Sequence, residues 1–283
     1  MTAGSAPDLG TKGAVDPASM LAAAHAPDLE RRFGGLRRLY GDAAYARLRA
    51  AHVAIVGLGG VGSWAAEALA RSGIGALTLI DFDQVAESNI NRQVQAVGAT
   101  VGQAKVDALR ERIADIHPGC AVRVVEAFVE ADNWPGLLGN DRAVDAVIDA
   151  CDQGRAKAVL AAWALATGTP LVVVGAAGGK RRPQAVAVAD LGLLTHDPML
   201  ASLRQRLRKH HGAAKTGPIG LACVYSPEPI VAPSDAGTVD GNLSCHGYGS
   251  SVTVTATFGL VAASVAIESV LVSSDRASGT WQI

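Results

Sequence analysis

The chain switches repeatedly between two hydrophobic periods. Over residues 31–50, Phe33, Leu36, Leu39, Tyr40, Tyr45 and Leu48 recur at helical spacing, which predicts one or two amphipathic helices. The run HVAIVG at 52–57 is short, rich in β-branched residues and closed by glycine, as expected of a strand buried on both faces. Residues 61–72 (VGSWAAEALARS) return to a helical period, and Gly73 and Gly75 stop it. A second strand, LTLID, follows at 77–81, then a helix over 102–116 and a strand over 121–129. A fourth strand is expected within 143–152, a helix over 154–167 and a fifth strand within 170–179. Strands alternating with helices of this length predict an α/β, Rossmann-like fold with a mainly parallel sheet and helices on both faces.

Beyond Gly179 the pattern loosens. AVAVAD at 185–190 reads as a strand and 198–211 as a basic helix, while 212–250 is rich in Gly, Pro and Ser. An irregular C-terminal half covering the carboxyl ends of the strands is therefore expected. Residues 252–272 are apolar and about long enough to cross a bilayer. Thr253, Thr255, Thr257, Ser264, Glu268 and Ser269 interrupt them, so a buried helix, or a strand running into one, is expected and no membrane span. Residues 1–28 lack periodicity and any basic, then apolar, leader pattern; they read as a mobile tail. With a short tail at 274–283, this leaves one domain over 29–273.

Composition changes this picture little. Of 283 residues, 49% are hydrophobic and 18% charged, enough for a full interior. The net charge of -1 confines any nucleic-acid contact to a local patch. The candidates are Arg204, Arg206, Arg208, Lys209, His210, His211 and Lys215, together with Lys180, Arg181 and Arg182; a solvated helix face is the competing reading. Cys120, Cys151, Cys223 and Cys245 form no CxxC pair. That removes support for a four-cysteine zinc site and points to a reducing, cytoplasmic compartment.

The chemistry begins at Gly57-Leu58-Gly59-Gly60-Val61-Gly62, which matches G-x-G-x-x-G between a strand and a helix. Glycines there allow close backbone approach, and free N–H groups at the helix start favour phosphate. Asp81 ends the next strand, where a carboxylate meets ribose hydroxyls. These features alone suit NAD, FAD and ATP equally. The polar cluster Asn89-Ile90-Asn91-Arg92-Gln93, followed by Lys105, separates them. Two cations can hold a triphosphate and neutralise departing pyrophosphate, and hydride transfer needs neither. Asp149 and Asp152 flank the end of the fourth strand, where an aspartate can hold Mg2+ jointly with phosphate oxygens.

GLGGVGSWAAEALARSGIGALTLIDFD, NINRQ, VGQAK and VIDACD, in this order, resemble the adenylation domain of the ThiF/MoeB/ubiquitin-activating-enzyme superfamily. RFGGLRRLYG, LACVYSPEP and SCHGYGSSVTVTATFG are similar to one branch of it, the tRNA threonylcarbamoyladenosine dehydratases. The resemblance implies ATP and Mg2+ as cofactors. Gly57, Gly59, Gly60 and Gly62 would line the phosphates, and Asp81, with Asp83 in the same nucleotide-binding set, the ribose. Asn91, Arg92, Gln93 and Lys105 would grip the phosphates, and Asp152 would serve Mg2+. It further implies a homodimer in which Arg32 or Arg38 enters the neighbouring site, tRNA carrying threonylcarbamoyladenosine as substrate, and a possible sulfur-relay partner. Cys245 matches a cysteine of the branch; a covalent role and a buried structural one both remain open. Lys180-Arg181-Arg182 is more basic than the branch pattern. Activation of a ubiquitin-like sulfur carrier and NAD-dependent oxidoreduction are the alternatives. The missing CxxC pairs weaken the first, and Arg92 with Lys105 the second.

Overall fold

The computed structural model describes residues 1, 27–139, 141–230 and 248–272. Cys245, most of the N-terminal tail and the C-terminal tail lie outside the described residues. Two helices open the fold, α1 (Leu29–Tyr40) and α2 (Asp42–Ala50). A βαβ unit follows: β1 (His52–Val56), α3 (Gly62–Arg71) and β2 (Ala76–Ile80). Then come α4 (Lys105–Ile116), β3 (Ala121–Val125), β4 (Ala146–Asp149), α5 (Gly154–Thr167) and β5 (Leu171–Val174). The rest comprises β6 (Ala187–Asp190), α6 (Pro198–His210), β7 (Ala222–Tyr225) and α7 (Val252–Val272).

All seven strands lie in one sheet, ordered β3-β2-β1-β4-β5-β7-β6. Every pair is parallel except β6 with β7. The alternation of side chains along each strand builds two cores. Val53, Ile55, Ile148 and Val172 face α3, α4 and α7 on one side. Ala54, Val56, Val147 and Val173 face α5 and α6 on the other. The strand order reverses between β1 and β4, and ligands of open α/β sheets bind at the carboxyl ends beside such a reversal.

Several boundaries depart from the sequence expectation. The helix expected over 102–116 starts at Lys105, because Gly102 takes φ 90° in the turn before it. The strand expected over 121–129 leaves the sheet after Val125. Residues 222–225, within the stretch read only as short pieces, form a sheet strand with Cys223 and Val224 fully buried.

The apolar stretch 252–272 is one helix packed into the core, with Phe258, Ala262 and Ala266 fully buried. Of the residues that interrupt the run, Thr253, Ser264 and Glu268 are exposed together with Leu260, so the helix turns one stripe to solvent and buries the rest. Its seat is close: a Cβ on Gly259 would lie 2.4 Å from the Val61 carbonyl oxygen and 2.8 Å from Trp64 Cβ. Helix α7 thus presses on the junction where the glycine loop enters α3.

Candidate active site

The glycines of the 57–62 loop have different jobs. Gly57 takes φ 85°, and a Cβ there would lie 2.7 Å from the Cys151 amide nitrogen. A Cβ on Gly62 would lie 1.8 Å from the Gly57 carbonyl oxygen. These two glycines let the loop fold onto itself and onto the end of β4. A Cβ on Gly60 would meet Thr255 Cγ2 at 3.1 Å and Arg92 Cγ at 3.3 Å. Gly59 faces open space: a Cβ added there would have no described neighbour within 4 Å. Among the described residues, then, no packing contact demands glycine at 59. A glycine kept bare toward an open space is what close approach of a ligand requires.

Asp81 follows β2 directly. Its Oδ2 accepts from the Leu58 amide at 2.5 Å and its Oδ1 from the Asp83 amide at 2.8 Å. Burial pushes its carboxyl pKa up, opposed by Lys105 and by these amides. Asp81 therefore pins the glycine loop. Lys105, the first residue of α4, is buried, and its Nζ lies 2.7 Å from Asp83 Oδ2. One carboxylate occupies one of three ammonium donors, leaving capacity for phosphate.

The Asn91-Arg92-Gln93 cluster splits. Arg92 Nη1 donates to the Ser88 carbonyl at 2.7 Å and to Asn91 Oδ1 at 2.9 Å, and Asn91 Nδ2 donates to the Ser250 carbonyl at 3.0 Å. Trp64 Nε1 holds the Arg92 carbonyl at 3.0 Å. Gln93, by contrast, is buried, and its Oε1 accepts from Gln95 Nε2 at 3.1 Å. Sequence reasoning misses Gln95. It is buried, donates to the Leu58 carbonyl at 3.0 Å, and so ties the cluster to the glycine loop. The polar alternation at 93 and 95 is its only signal.

Of the two aspartates at the end of β4, only Asp152 faces outward. Asp149 is fully buried, with Lys157 Nζ at 3.1 Å from its Oδ1. That Nζ also donates to the Val174 carbonyl at 2.8 Å, so Lys157 joins the carboxyl ends of β4 and β5. Burial disfavours the Lys157 ammonium, but Asp149 holds its pKa above the ordinary lysine value. Asp149 is thereby removed from the metal-binding candidates. Among the described residues no three His, Cys, Asp or Glu side chains cluster as a metal site. Asp152 fits Mg2+ only as one carboxylate sharing the ion with phosphate and water.

Not all the basic residues singled out in the sequence are free surface charges. Lys180 is buried, and its Nζ donates to the carbonyls of Ser226 and Glu228. Arg204 donates to the Leu194 carbonyl at 2.8 Å and Arg208 to the Ala214 carbonyl at 2.9 Å, each bracing a loop. Arg206, Lys209, His210, His211 and Lys215 remain exposed. Cys151 and Cys223 are held inside, and burial drives both thiols far above their ordinary pKa.

The model of the ThiF family matches residues 32–280. The chain belongs to the ThiF family. Within it, the chain is 44% identical over 258 residues to the tRNA threonylcarbamoyladenosine dehydratase of Escherichia coli (strain K12), covering 87% of this chain and 96% of that one. It is 39% identical over 247 residues to the protein of the same description from Haemophilus influenzae, covering 86% and 94%. Among solved structures it is similar to the E. coli tRNA N6-threonylcarbamoyladenosine dehydratase, TcdA, in complex with ATP, with a TM-score of 0.79, 43% identity and coverage of 88% and 97%. The Rossmann-like ThiF architecture thus extends across the whole described sheet.

Proposed function

We propose that this chain is an ATP-dependent tRNA threonylcarbamoyladenosine dehydratase. The observation that carries the reading is 44% identity spanning 96% of a relative of that description, joined to a glycine loop that is open at Gly59, pinned by Asp81 at the Leu58 amide and flanked by Arg92 at Gly60. The likeness to an ATP complex supports ATP as the nucleotide. Asp152 would hold Mg2+, which supplies charge neutralisation on the phosphates when bound.

A carboxylate is a poor acyl donor because its oxygen is a poor leaving group. In the proposed reaction a threonyl carboxylate oxygen bonds to the α-phosphorus of ATP and the bond to pyrophosphate breaks. The ureido group of the same substituent then bonds to the activated carbonyl carbon, loses its proton and expels AMP. The nucleoside loses one water in total, and ATP becomes AMP and pyrophosphate. An internal nucleophile needs no second substrate and gains from proximity. Arg92 and Lys105 neutralise charge as pyrophosphate leaves. A covalent step at Cys245 is not required by this balance.

The proposed assembly is a homodimer. Arg32 is engaged within its own chain, donating to the carbonyls of Asp115 at 2.5 Å and Ile116 at 2.7 Å at the end of α4. Arg38, exposed on α1, is therefore the arginine proposed to reach a neighbouring site.

The test is incubation with ATP, Mg2+ and tRNA bearing threonylcarbamoyladenosine, followed by nucleoside mass analysis. A loss of one water with AMP formed is expected. An unchanged nucleoside mass with protein that binds ATP would refute the reading.

A further inference from the structure

A cavity of about 210 Å³ lies between the loop after β5 and the chain entering α7, lined by Gly179, Lys180, Arg181, Tyr248, Ser250 and Ser251 among others. No residue assigned to ATP lines it. It nevertheless touches the nucleotide site through one amide: Asn91 Nδ2 donates to the Ser250 carbonyl at 3.0 Å, while Asn91 Oδ1 accepts from Arg92 at 2.9 Å.

The walls of this cavity are built rather than incidental. The Gly179 amide donates to the Gly249 carbonyl at 2.9 Å. Gly179 takes φ 73°, and a Cβ there would lie 3.1 Å from Tyr248 Cβ, so Tyr248 rests directly on the bare glycine. Beneath the loop, Lys180 turns inward to the Ser226 and Glu228 carbonyls. The Glu228 carboxylate accepts from the Arg181 amide at 3.1 Å and the Arg182 amide at 2.9 Å. With Lys180 and Glu228 fixing the backbone, the Arg181 side chain is left to line the cavity. The charged residues of the lining, Lys180 and Arg181, are both cationic, so the pocket favours an anion. Its volume suits a substituent of amino-acid size and not a whole nucleoside, which leaves the attached base at the mouth. Tyr248, 38% exposed, presents a ring there.

We propose that this cavity is the acceptor pocket: it takes the carboxylate-bearing threonylcarbamoyl substituent of the modified adenosine, oriented by Arg181, with the adenine base on the Tyr248 ring. The assignment rests on the dehydratase reading. The carboxylate must enter beside the phosphates without displacing them, and a cationic pocket joined to Arg92 through Asn91 meets that demand. Orientation of the reacting oxygen is the gain.

The experiment compares wild type with Arg181→Ala, Tyr248→Ala and Tyr248→Phe. Steady-state kinetics use tRNA bearing threonylcarbamoyladenosine, and ATP affinity is measured separately without tRNA. Tyr248→Ala should raise the KM for tRNA by about tenfold or more, as loss of one base–aromatic stack does, and Tyr248→Phe should restore it. Arg181→Ala should lower kcat/KM by about 10- to 100-fold, as loss of a charged hydrogen bond does. The Arg181 loss should persist on the free modified nucleoside, and ATP affinity should stay unchanged in all three. Wild-type kinetics in both alanine variants would overturn the proposal. So would an equal loss of ATP affinity, which would give the cavity to the nucleotide, or an Arg181 effect confined to whole tRNA, which would make it a backbone contact. Failure of wild type to dehydrate the substrate removes the dehydratase reading instead. Binding of modified against unmodified tRNA to the same variants then decides the pocket: an unaltered preference overturns it.

Discussion

Lys157 and Asp149 form an ion pair at 3.1 Å in which neither side chain has any exposed surface. The same ammonium also donates to the Val174 carbonyl, so the pair ties β4 to β5 behind the glycine loop. Removing one partner strands a buried charge. Lys157→Met should cost about 3–5 kcal/mol of unfolding free energy, and Asp149→Leu combined with Lys157→Met should recover most of it. Denaturant titration of the single and double variants measures this; a neutral single variant would contradict it.

The glycines separate into folding and ligand positions. Gly62→Ala would place a Cβ 1.8 Å from the Gly57 carbonyl and should destabilise the fold by about 2 kcal/mol or more. Gly59→Ala meets open space, so its thermal midpoint should match wild type while ATP affinity falls by about tenfold or more. Parallel melting and ATP-binding measurements check the pair. Equal behaviour of the two variants would remove the distinction.

Arg92 and Lys105 are expected to act on the reaction and not on the fold. Arg92→Ala and Lys105→Ala should each lower kcat by about 100-fold or more, the loss seen when one charge-stabilising donor is removed. Lys105 is itself buried, so Lys105→Met, which keeps the apolar stem, is measured beside Lys105→Ala to separate loss of charge from loss of packing. Turnover and circular dichroism are the readouts, and near-normal turnover in either variant would exclude that residue.

Glu67 sets a pH dependence. Burial alone would raise its carboxyl pKa, but hydrogen bonds from Arg112 and Arg71 hold it below the ordinary value of 4.5. A depressed folded-state pKa means the contribution is present above the unfolded value and is lost as pH falls through the folded one. Glu67→Gln should therefore cost about 1–2 kcal/mol at pH 7, discounted because both arginines are partly exposed, and the cost should vanish in acid. Urea titrations from pH 7 to pH 3 test this; a pH-independent cost would oppose it.

Thiol chemistry should spare the three described cysteines. Burial pushes Cys120 to about 11 and Cys151 and Cys223 well above their ordinary values. Alkylation of native protein at pH 8 should leave these three unmodified on the timescale of an exposed thiol. Peptide mass mapping reads the sites, and full activity of Cys245→Ser would end a covalent role for that residue.

The sequence by itself determined the βαβ unit, the parallel sheet and the glycine loop, because these depend on local period and on glycines at fixed spacing. HVAIVG and VGSWAAEALARS carry their own geometry. Residue types also singled out Asp81, Arg92 and Lys105 as candidates for the chemistry. What no local pattern could determine was the direction of each polar side chain. Asp149 and Asp152 look equivalent in VIDACD, yet only the packing of α5 under β4 and β5 turns Asp149 onto Lys157. Lys180 and Arg181 are adjacent and alike, yet the Ser226 and Glu228 carbonyls bury one and leave the other exposed, although both line the cavity. Burial of a charge requires partners from distant segments, so tertiary structure alone decides which charges serve the fold and which remain for chemistry.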